Sequence, residues 1–482
     1  MHGNRGALPL IQQAASRWAA RWRLPLAIAL AGMLAGGGLY LGNRAYVRAT
    51  SPTSCPAGCV TNGALFVSPD PAMQAIEKEI TAANASATAG PYYSVVLLDP
   101  FMYSTSGTVS QSRMIDELQG AYLALAAANA NVAREHKGVA IQLLLANEGT
   151  SAEEGESEAV RQIENLEGPD RIVAVAGMGL STASTGTAAT ALAQVSMPMF
   201  GAVTTGNQFN GGSYRGFFQL APSVIAQVDT LVARLRLTTP QPVALVSSDQ
   251  KDDIYSVDLR TGFTNALRYP LPLGQFFYDP ATAEQQFAGY ATKICSSLPS
   301  RQADKAAARS LTVLYAGREA ALPVLVGQFQ QASVCAGLNV AIVTGSDSNA
   351  LPPSVTDAPD PATGANVTVV YSDIESVASL SRDFVTGAPP PRSASSATPC
   401  LNQQYDPWEV ATYNSVMAAA FTVSQAASAA GPLTAAAVLA RALDLEGSAP
   451  YPAPNGSFGF DTDGKLLNAV IPVYTDKDGT CS

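Results

Sequence analysis

Runs of apolar residues alternate with polar segments along most of the chain, in a rhythm typical of strands and helices that follow one another. The clearest example spans residues 171–205. Residues 172–176 form an uninterrupted apolar run, as a strand buried on both faces requires, and the run ends at the glycine-rich turn 177–179. An alanine-rich helix over 182–195 and a second apolar run over 199–203 follow. The pattern predicts a strand–helix–strand unit of a parallel sheet.

The same alternation extends through two series of elements, which a Pro-Gln-Pro segment at 240–242 separates. Before this break we predict strands at 93–98, 140–145, 172–176, 199–203 and 217–220, with helices at 111–132, 153–166, 182–195 and 223–237. After it we predict strands at 243–247, 276–278, 311–315, 340–343 and 367–371, with helices at 254–266, 281–298, 320–332, 408–427 and 433–443. A hairpin is predicted about Asp463-Gly464. The fold class is therefore α/β, with two doubly wound parallel-sheet lobes.

An uncharged apolar segment over 24–41 precedes these elements and is long enough to cross a bilayer. Arginines lie before this segment, and no acid occurs among the first fifty residues. The positive-inside rule therefore predicts a cytoplasmic tail over 1–23, one N-terminal transmembrane helix that acts as a signal anchor, and an extracytoplasmic remainder tethered to the cell membrane. A cleaved signal peptide is the alternative, although no A-x-A site follows the run. Residues 42–90 are predicted to form a stalk.

The part of the chain after the apolar segment is strongly acidic. Of the 28 Lys and Arg residues, six lie among the first fifty positions, which leaves 22 bases against 38 acids. Residues 51–482 therefore carry a net charge of about −16, which repels phosphate backbones, so no nucleic-acid partner is expected.

All six cysteines lie after the apolar segment, and an even number in an exported region indicates disulfides. Six cysteines allow fifteen pairings, and the sequence does not choose among them. The pairing that we favour is Cys55–Cys59, Cys295–Cys335 and Cys400–Cys481. No second pair of Cys or His accompanies the closely spaced Cys55 and Cys59, so no metal site and no cofactor is predicted.

Three stretches together carry a resemblance to a known family. They are FFQLAPSVIAQVDTLVARL, PVALVSSDQKDDIYSVDLRTGFTNAL, and the pair WEVATYNSVMAAAFTVSQAA and GSFGFDTDGKLLNAVIPVY. By their order and spacing, residues 91–482 resemble the type I periplasmic binding proteins, in particular the branched-chain amino-acid binding proteins of ABC importers. The resemblance implies a Venus-flytrap fold, with lobe 1 at 91–222 and 366–445 and lobe 2 at 223–365 and 446–482. It also implies a small ligand between the lobes that stabilises their closed arrangement.

The resemblance implies a set of ligand contacts in lobe 1. The family holds its ligand there through hydroxyls and backbone amides in the loops after the third and fourth strands. Those positions fall on Ser181, Thr182, Ala202, Thr204 and Thr205. Backbone N–H groups at a helix start suit an anionic group such as a carboxylate. Helix capping by Ser181 or Thr182, and loop bonds from the two later threonines, are the competing interpretations.

In lobe 2 the sequence differs from the family pattern at the positions where the resemblance implies ligand contacts. The family often has an aromatic residue followed by glycine after the first strand of this lobe, whereas this chain has Asp252, Asp253 and Tyr255 there. An acid from a later loop often meets the ammonium of the ligand, and Glu319 and Asp347 are the candidates. Glu319 follows an arginine, so an ordinary exposed ion pair is the competing interpretation.

A hydrolase is the main alternative class of protein, and the sequence contains few residues that could support hydrolysis. Of the two histidines, His2 lies in the predicted cytoplasmic tail, and His136 lies in a charged segment that reads as a helix end. No G-x-S-x-G motif occurs, and the pair Gly177 and Gly179 is an incomplete dinucleotide fingerprint. We therefore predict no enzymatic activity.

The sequence as a whole predicts a membrane-tethered, extracytoplasmic solute-binding protein. It captures a small polar ligand, an amino acid or a similar solute, and its partner is the permease of an ABC transporter. The alternative is a ligand sensor or a degenerate structural ectodomain that acts through a membrane signalling partner.

Overall fold

The structure is a computed structural model that describes residues 55–63, 70–102, 109–135, 138–150, 152–298, 310–348, 364–376, 406–427, 433–454 and 456–475. The predicted transmembrane segment 24–41, His136 and the predicted pair Cys400–Cys481 lie outside these residues. Within the described ranges, no helix is both long enough and apolar enough to cross a membrane.

Lobe 1 is built on a sheet that, in the described residues, has six strands in the order β1-β3-β2-β4-β5-β6. These strands are β1 (Val60–Thr61), β2 (Tyr92–Asp99), β3 (Ala140–Asn147), β4 (Ile172–Gly177), β5 (Met199–Gly201) and β6 (Phe217–Gln219). Its helices are α1 (Pro71–Ala87), α2 (Gln111–Glu135), α3 (Ala152–Leu166) and α4 (Ala183–Gln194), together with α9 (Pro407–Ala427) and α10 (Ala435–Asp444) from later in the chain.

Alternate residues of each buried strand in lobe 1 enter two different cores. In β2, Val95 and Leu97 pack with α1, α2 and α9 on one face of the sheet. Val96 and Leu98 pack with α3 and α4 on the other face. Because both faces are covered, the strand reads as a continuous apolar run rather than an alternating one.

Lobe 2 has the same architecture. Its sheet, as far as the chain is described, has the order β14-β11-β10-β9-β7-β8. The strands are β7 (Val243–Ser248), β8 (Gln275–Tyr278), β9 (Ser310–Ala316), β10 (Asn339–Thr344), β11 (Asn366–Ser372) and β14 (Val473–Thr475). Helices α5 (Val224–Arg234) and α6 (Ile254–Leu267) cover one face, and α7 (Ala283–Ser296) and α8 (Leu322–Gln331) cover the other.

The structure corrects the predicted domain boundaries at three places. Strand β1 and helix α1, which fall within the predicted stalk 42–90, belong to the sheet and the core of lobe 1. Strand β11 pairs in parallel with β10, so residues 366–372 belong to the sheet of lobe 2 and not to lobe 1. Conversely, the small hairpin of β12 (Tyr451–Ala453) and β13 (Gly456–Phe458) places Tyr451 and Phe460 in the core of lobe 1. The chain therefore returns to lobe 1 after β11 and reaches lobe 2 again only at β14 among the described residues.

The turn predicted at Asp463-Gly464 forms, but its flanks pair only through one short antiparallel bridge and not as the two strands of a longer hairpin. The N–H of Asp461 donates to the carbonyl of Lys465 at 2.9 Å, and Phe460 bridges to Leu466. The later apolar run becomes β14, which pairs antiparallel with β11 instead. Pairing with a second sheet leaves no signal in the local sequence around the turn.

Disulfides join Cys55 to Cys59 and Cys295 to Cys335 in the structure. The second bond confirms the predicted pair in lobe 2, where it ties α7 to the turn after α8 within a buried core.

Replacing both Cys295 and Cys335 with alanine is expected to lower the free energy of unfolding by about 3–4 kcal/mol. The bond links residues 40 positions apart, and its loss frees that long loop in the unfolded chain. Urea unfolding at equilibrium measures the change. The matched control replaces Cys55 and Cys59, which are only 4 positions apart and should cost less. An equal cost for the two double variants would contradict the loop-closure explanation.

Candidate functional site at the junction of the lobes

The carboxyl ends of the two sheets face each other at one junction, which we call the interlobe seam. It consists of residues 181–183 from lobe 1 and of Asp252–Tyr255, Arg318 and Asp347 from lobe 2. The N–H of Ala183 donates to the carbonyl of Asp252 at 2.9 Å, and the N–H of Tyr255 donates to the carbonyl of Ser181 at 3.2 Å. Two helices begin here, because Thr182 caps α4 and Asp253 caps α6. The two lobes therefore touch directly through their backbones.

The side chain of Arg318 lies at the centre of the seam. Its Nε and Nη2 donate to Oδ1 of Asp253 at 3.0 and 2.7 Å, and its Nη1 donates to Oδ2 of Asp347 at 2.8 Å. Nη2 also crosses the seam to the carbonyl of Ser181 in lobe 1, at 3.1 Å. The guanidinium stacks 4.7 Å from the ring centre of Tyr255. Burial alone would lower the pKa of Arg318, but the charges of Asp253 and Asp347 outweigh it and raise that pKa.

The seam brings together most of the residues that the sequence singled out in lobe 2. Asp253, Tyr255 and Asp347 surround Arg318, and the hydroxyl of Tyr255 accepts from the N–H of Asp347 at 3.1 Å. Asp252 contributes its backbone carbonyl and leaves its side chain exposed. The local sequence gave no reason to choose Arg318 over Glu319, because both follow β9 and only the tertiary contacts distinguish them.

The lobe 1 residues divide between the seam and the interior. Ser181 contacts lobe 2 through its carbonyl, while its Oγ accepts from the N–H of Gly206 at 2.8 Å. Ala202 is fully buried in the core, and the hydroxyl of Thr204 donates to the carbonyl of Gly179 at 3.2 Å. The carbonyl of Thr205 accepts from the first N–H of α5. For these residues the structure shows loop hydrogen bonds or core packing, and a role in ligand contact stays a prediction.

A second buried arginine, which no motif in the sequence indicated, lies beside the seam. Arg113, at the start of α2, is paired with Asp406, and its guanidinium lies 4.6 Å from the ring centre of Trp408. Its Nε is 3.7 Å from Oε2 of Glu319, so this cluster also links the two lobes. Burial is the largest cause that raises the pKa of Glu319, to about 7, and Arg113 opposes it. Glu319 is thus part of an interlobe ion pair rather than a pair with its neighbour in sequence.

Four buried carboxyl groups lie under the glycine turn that leads into the seam. They are Asp99 and Glu148 at the ends of β2 and β3, with Glu117 from α2 and Glu156 from α3, and none is more than 1% exposed. Burial is the largest cause that raises the pKa of each, and for Glu156 the value reaches about 8. No three acidic, histidine or cysteine side chains in the described ranges are arranged to hold a metal ion. We call this group the carboxyl cluster.

The carboxyl cluster explains the two glycines of the turn. A Cβ on Gly179 would lie 2.3 Å from Oε2 of Glu148, and one on Gly177 would lie 2.3 Å from Oδ2 of Asp99. Both glycines also have a positive φ, of 81° and 53° for Gly177 and Gly179. The N–H of Gly179 donates to Oδ1 of Asp99 at 3.0 Å. The glycine pair therefore makes room for carboxyl groups of the chain itself.

Comparison with known proteins identifies the fold. Neither a family model nor a curated protein sequence matches the chain. It is similar in structure to a possible leucine/isoleucine/valine-binding protein from Rhodopirellula baltica SH 1, with 14% identity and a TM-score of 0.56 over 80% of this chain and 93% of that one. It is also similar to an ABC transporter substrate-binding protein from Desulfitobacterium hafniense in complex with Leu, with 15% identity and a TM-score of 0.56 over 81% and 99% of the two chains.

A third similar structure binds a different kind of solute. It is a solute binding protein of an ABC transporter from Rhodopseudomonas palustris HaA2 in complex with p-hydroxybenzoic acid, with 13% identity and a TM-score of 0.56 over 80% and 92% of the two chains. The chain thus has the fold of the type I periplasmic binding proteins. Within that fold, the solved structures hold ligands as different as an amino acid and an aromatic acid.

Proposed function

We propose that this protein is an extracytoplasmic solute-binding protein that holds a small polar ligand between its two lobes for an ABC-type importer. The interlobe seam carries the proposal, because it joins the carboxyl ends of both sheets, where open α/β sheets bind ligands. It combines two carboxylates, an aromatic face and the backbone carbonyl of Ser181 from the opposite lobe. Residues 24–41 would tether the protein to the cell membrane, and no step of this work requires catalysis.

A filled seam favours the alternative that the sequence left open. Arg318 and direct backbone bonds occupy the space between the lobes. A degenerate structural ectodomain that acts through a membrane signalling partner would have no need of an open site, whereas a ligand sensor would still need one. Solute binding by the wild-type chain distinguishes solute capture from a purely structural role.

Titration of the full-length chain in detergent micelles tests solute capture. Replacing Trp18 and Trp22 with phenylalanine leaves Trp408 as the one tryptophan, and this residue stacks on the interlobe arginine Arg113. Leucine, arginine, p-hydroxybenzoate and glucose serve as the panel. A ligand of the folded state at 100 times its Kd should stabilise the protein by about 2.7 kcal/mol and raise its Tm.

A saturable change in both Trp408 fluorescence and Tm supports capture and names the class of solute. No response to any member of a widened panel, from a chain that melts cooperatively, would reject solute capture for import and support the structural alternative.

A further inference from the structure

A positive charge already occupies the interlobe seam, and it comes from the protein itself. The guanidinium of Arg318 engages two carboxylates from two different loops, the face of an aromatic ring and a carbonyl of the opposite lobe. Carboxylates and aromatic faces are the groups that bind an ammonium or guanidinium ligand. Four predicted ligand contacts, Ser181, Asp253, Tyr255 and Asp347, are thus all in contact with one side chain.

We propose that Arg318 is a built-in occupant of the interlobe site, which takes the position of a ligand's cationic group and holds the lobes together without a solute. The proposal rests on the proposed function in so far as the seam is the ligand site, and it names the solute class that fits there. That class carries a guanidinium or ammonium group, and such a solute binds only by displacing Arg318.

The charges around the site explain why the occupant must be cationic. Among the described residues, Arg318 is the cation that pairs with both Asp253 and Asp347. The side chains of Asp253 and Asp347 are 9% and 11% exposed beside the guanidinium, and both lose their ion-pair partner when it leaves. Tyr255 is fully buried and packs in the core of lobe 2, which keeps its ring in place. Removal of the arginine side chain therefore leaves a formed socket of two acids and one ring.

The burial and the hydrogen bonds of Arg318 also differ from those of an ordinary surface ion pair. The side chain of Arg318 is 11% exposed, and three of its four hydrogen bonds stay within lobe 2. Only the bond to Ser181 crosses the seam. The socket is consequently complete on lobe 2 and needs lobe 1 only for closure, as a two-lobed binding site requires.

The experiment compares full-length wild-type protein with Arg318→Ala, using ethylguanidinium chloride as the probe. The variant should melt at a temperature about 5 °C lower, because two buried carboxylates lose their partner. Ethylguanidinium should then bind saturably and restore the Tm, with a midpoint at least about tenfold lower than for wild-type protein, where Arg318 competes. Small-angle scattering should show that the variant expands and becomes compact again when the probe binds.

Two controls decide whether the effect is specific. N-ethylurea has nearly the same shape without the charge and should not restore the Tm. Arg260→Ala removes another arginine that stacks on an aromatic ring, at 5.7 Å from Phe277, but that lies outside the seam. It should gain no affinity for ethylguanidinium.

Equal responses of wild-type, Arg260→Ala and Arg318→Ala proteins, or a folded Arg318→Ala variant without a saturable response, would overturn the proposal. If Arg318→Ala does not fold, Arg318→Met fills the volume without charge, and a Met variant as compact and as stable as wild-type would overturn it too. The result is independent of the solute panel: a silent wild-type chain rejects import, whereas binding of ethylguanidinium by the variant still supports the built-in occupant.

Discussion

Replacing Arg113 with methionine is expected to lower the free energy of unfolding by about 3–5 kcal/mol, because it removes one partner of a buried ion pair. The Arg113 side chain is 1% exposed, and its pairing with Asp406 joins residues 293 positions apart. Methionine fills much of the volume but leaves Asp406 and Glu319 without a cation. Urea unfolding followed through Trp408, the ring under the guanidinium, measures the loss.

Arg161→Met is the matched control for this change. Arg161 pairs with Glu158 on the surface of α3, and its side chain is 61% exposed. An exposed pair of this kind contributes at most about 1 kcal/mol. A cost for Arg113→Met no larger than that of the control would show that burial does not strengthen the interlobe cluster.

The free energy of unfolding is expected to fall as the pH rises from about 5 to 8, because the carboxyl cluster binds protons more tightly in the folded chain. The folded pKa of Glu156 is about 8, above its ordinary value of 4.5. The stabilisation that protonated Glu156 contributes is therefore complete below pH 4.5 and is lost as the pH rises through about 8. Each additional proton held by the folded chain corresponds to about 1.4 kcal/mol for each pH unit.

Glu156→Gln should reduce the slope of the unfolding free energy against pH by the contribution of about one proton. It should stabilise the protein most at pH 8, since the amide cannot ionise. Urea midpoints measured between pH 5 and 9 give the slope. Glu164→Gln changes an exposed residue of the same helix and should leave the slope as it is in wild-type protein. A slope that is unchanged in Glu156→Gln would mean that this carboxyl is not protonated in the folded state.

The local sequence predicted most of the helices and strands, but it said little about which strands pair with one another. The apolar runs of β2 and β4 are buried on both faces, and their pattern alone marks them as central strands. Strand β11 has the same pattern, yet which sheet it joins depends on its neighbour β10 and on the late strand β14. Parallel pairing is decided by packing between distant segments, so the lobe boundary at 366 could not be read from the chain.

The candidate site was likewise predictable only in part from the sequence. The resemblance pointed to the loops that meet at the seam, and Asp253, Tyr255 and Asp347 do lie there. The charge that dominates the seam, Arg318, stood beside a predicted residue and looked like a surface arginine. One feature of the sequence pointed to the carboxyl cluster, because Asp99 and Glu148 each lie at the end of a buried strand, next to a turn. Its protonation follows from burial, which only the assembled fold reveals.

Helix α9 has a consequence for the order in which the chain can fold during synthesis. It is buried on nearly every side against α2 and the sheet of lobe 1, where the hydroxyl of Ser415 donates to the carbonyl of Phe200. This helix is made only after the described strands of lobe 2 other than β14. Of its described strands, lobe 2 then lacks only the edge strand β14, while the nascent first lobe keeps exposed the part of its apolar face that α9 covers until about residue 427 has emerged. During that interval the exposed apolar surface can aggregate with other chains.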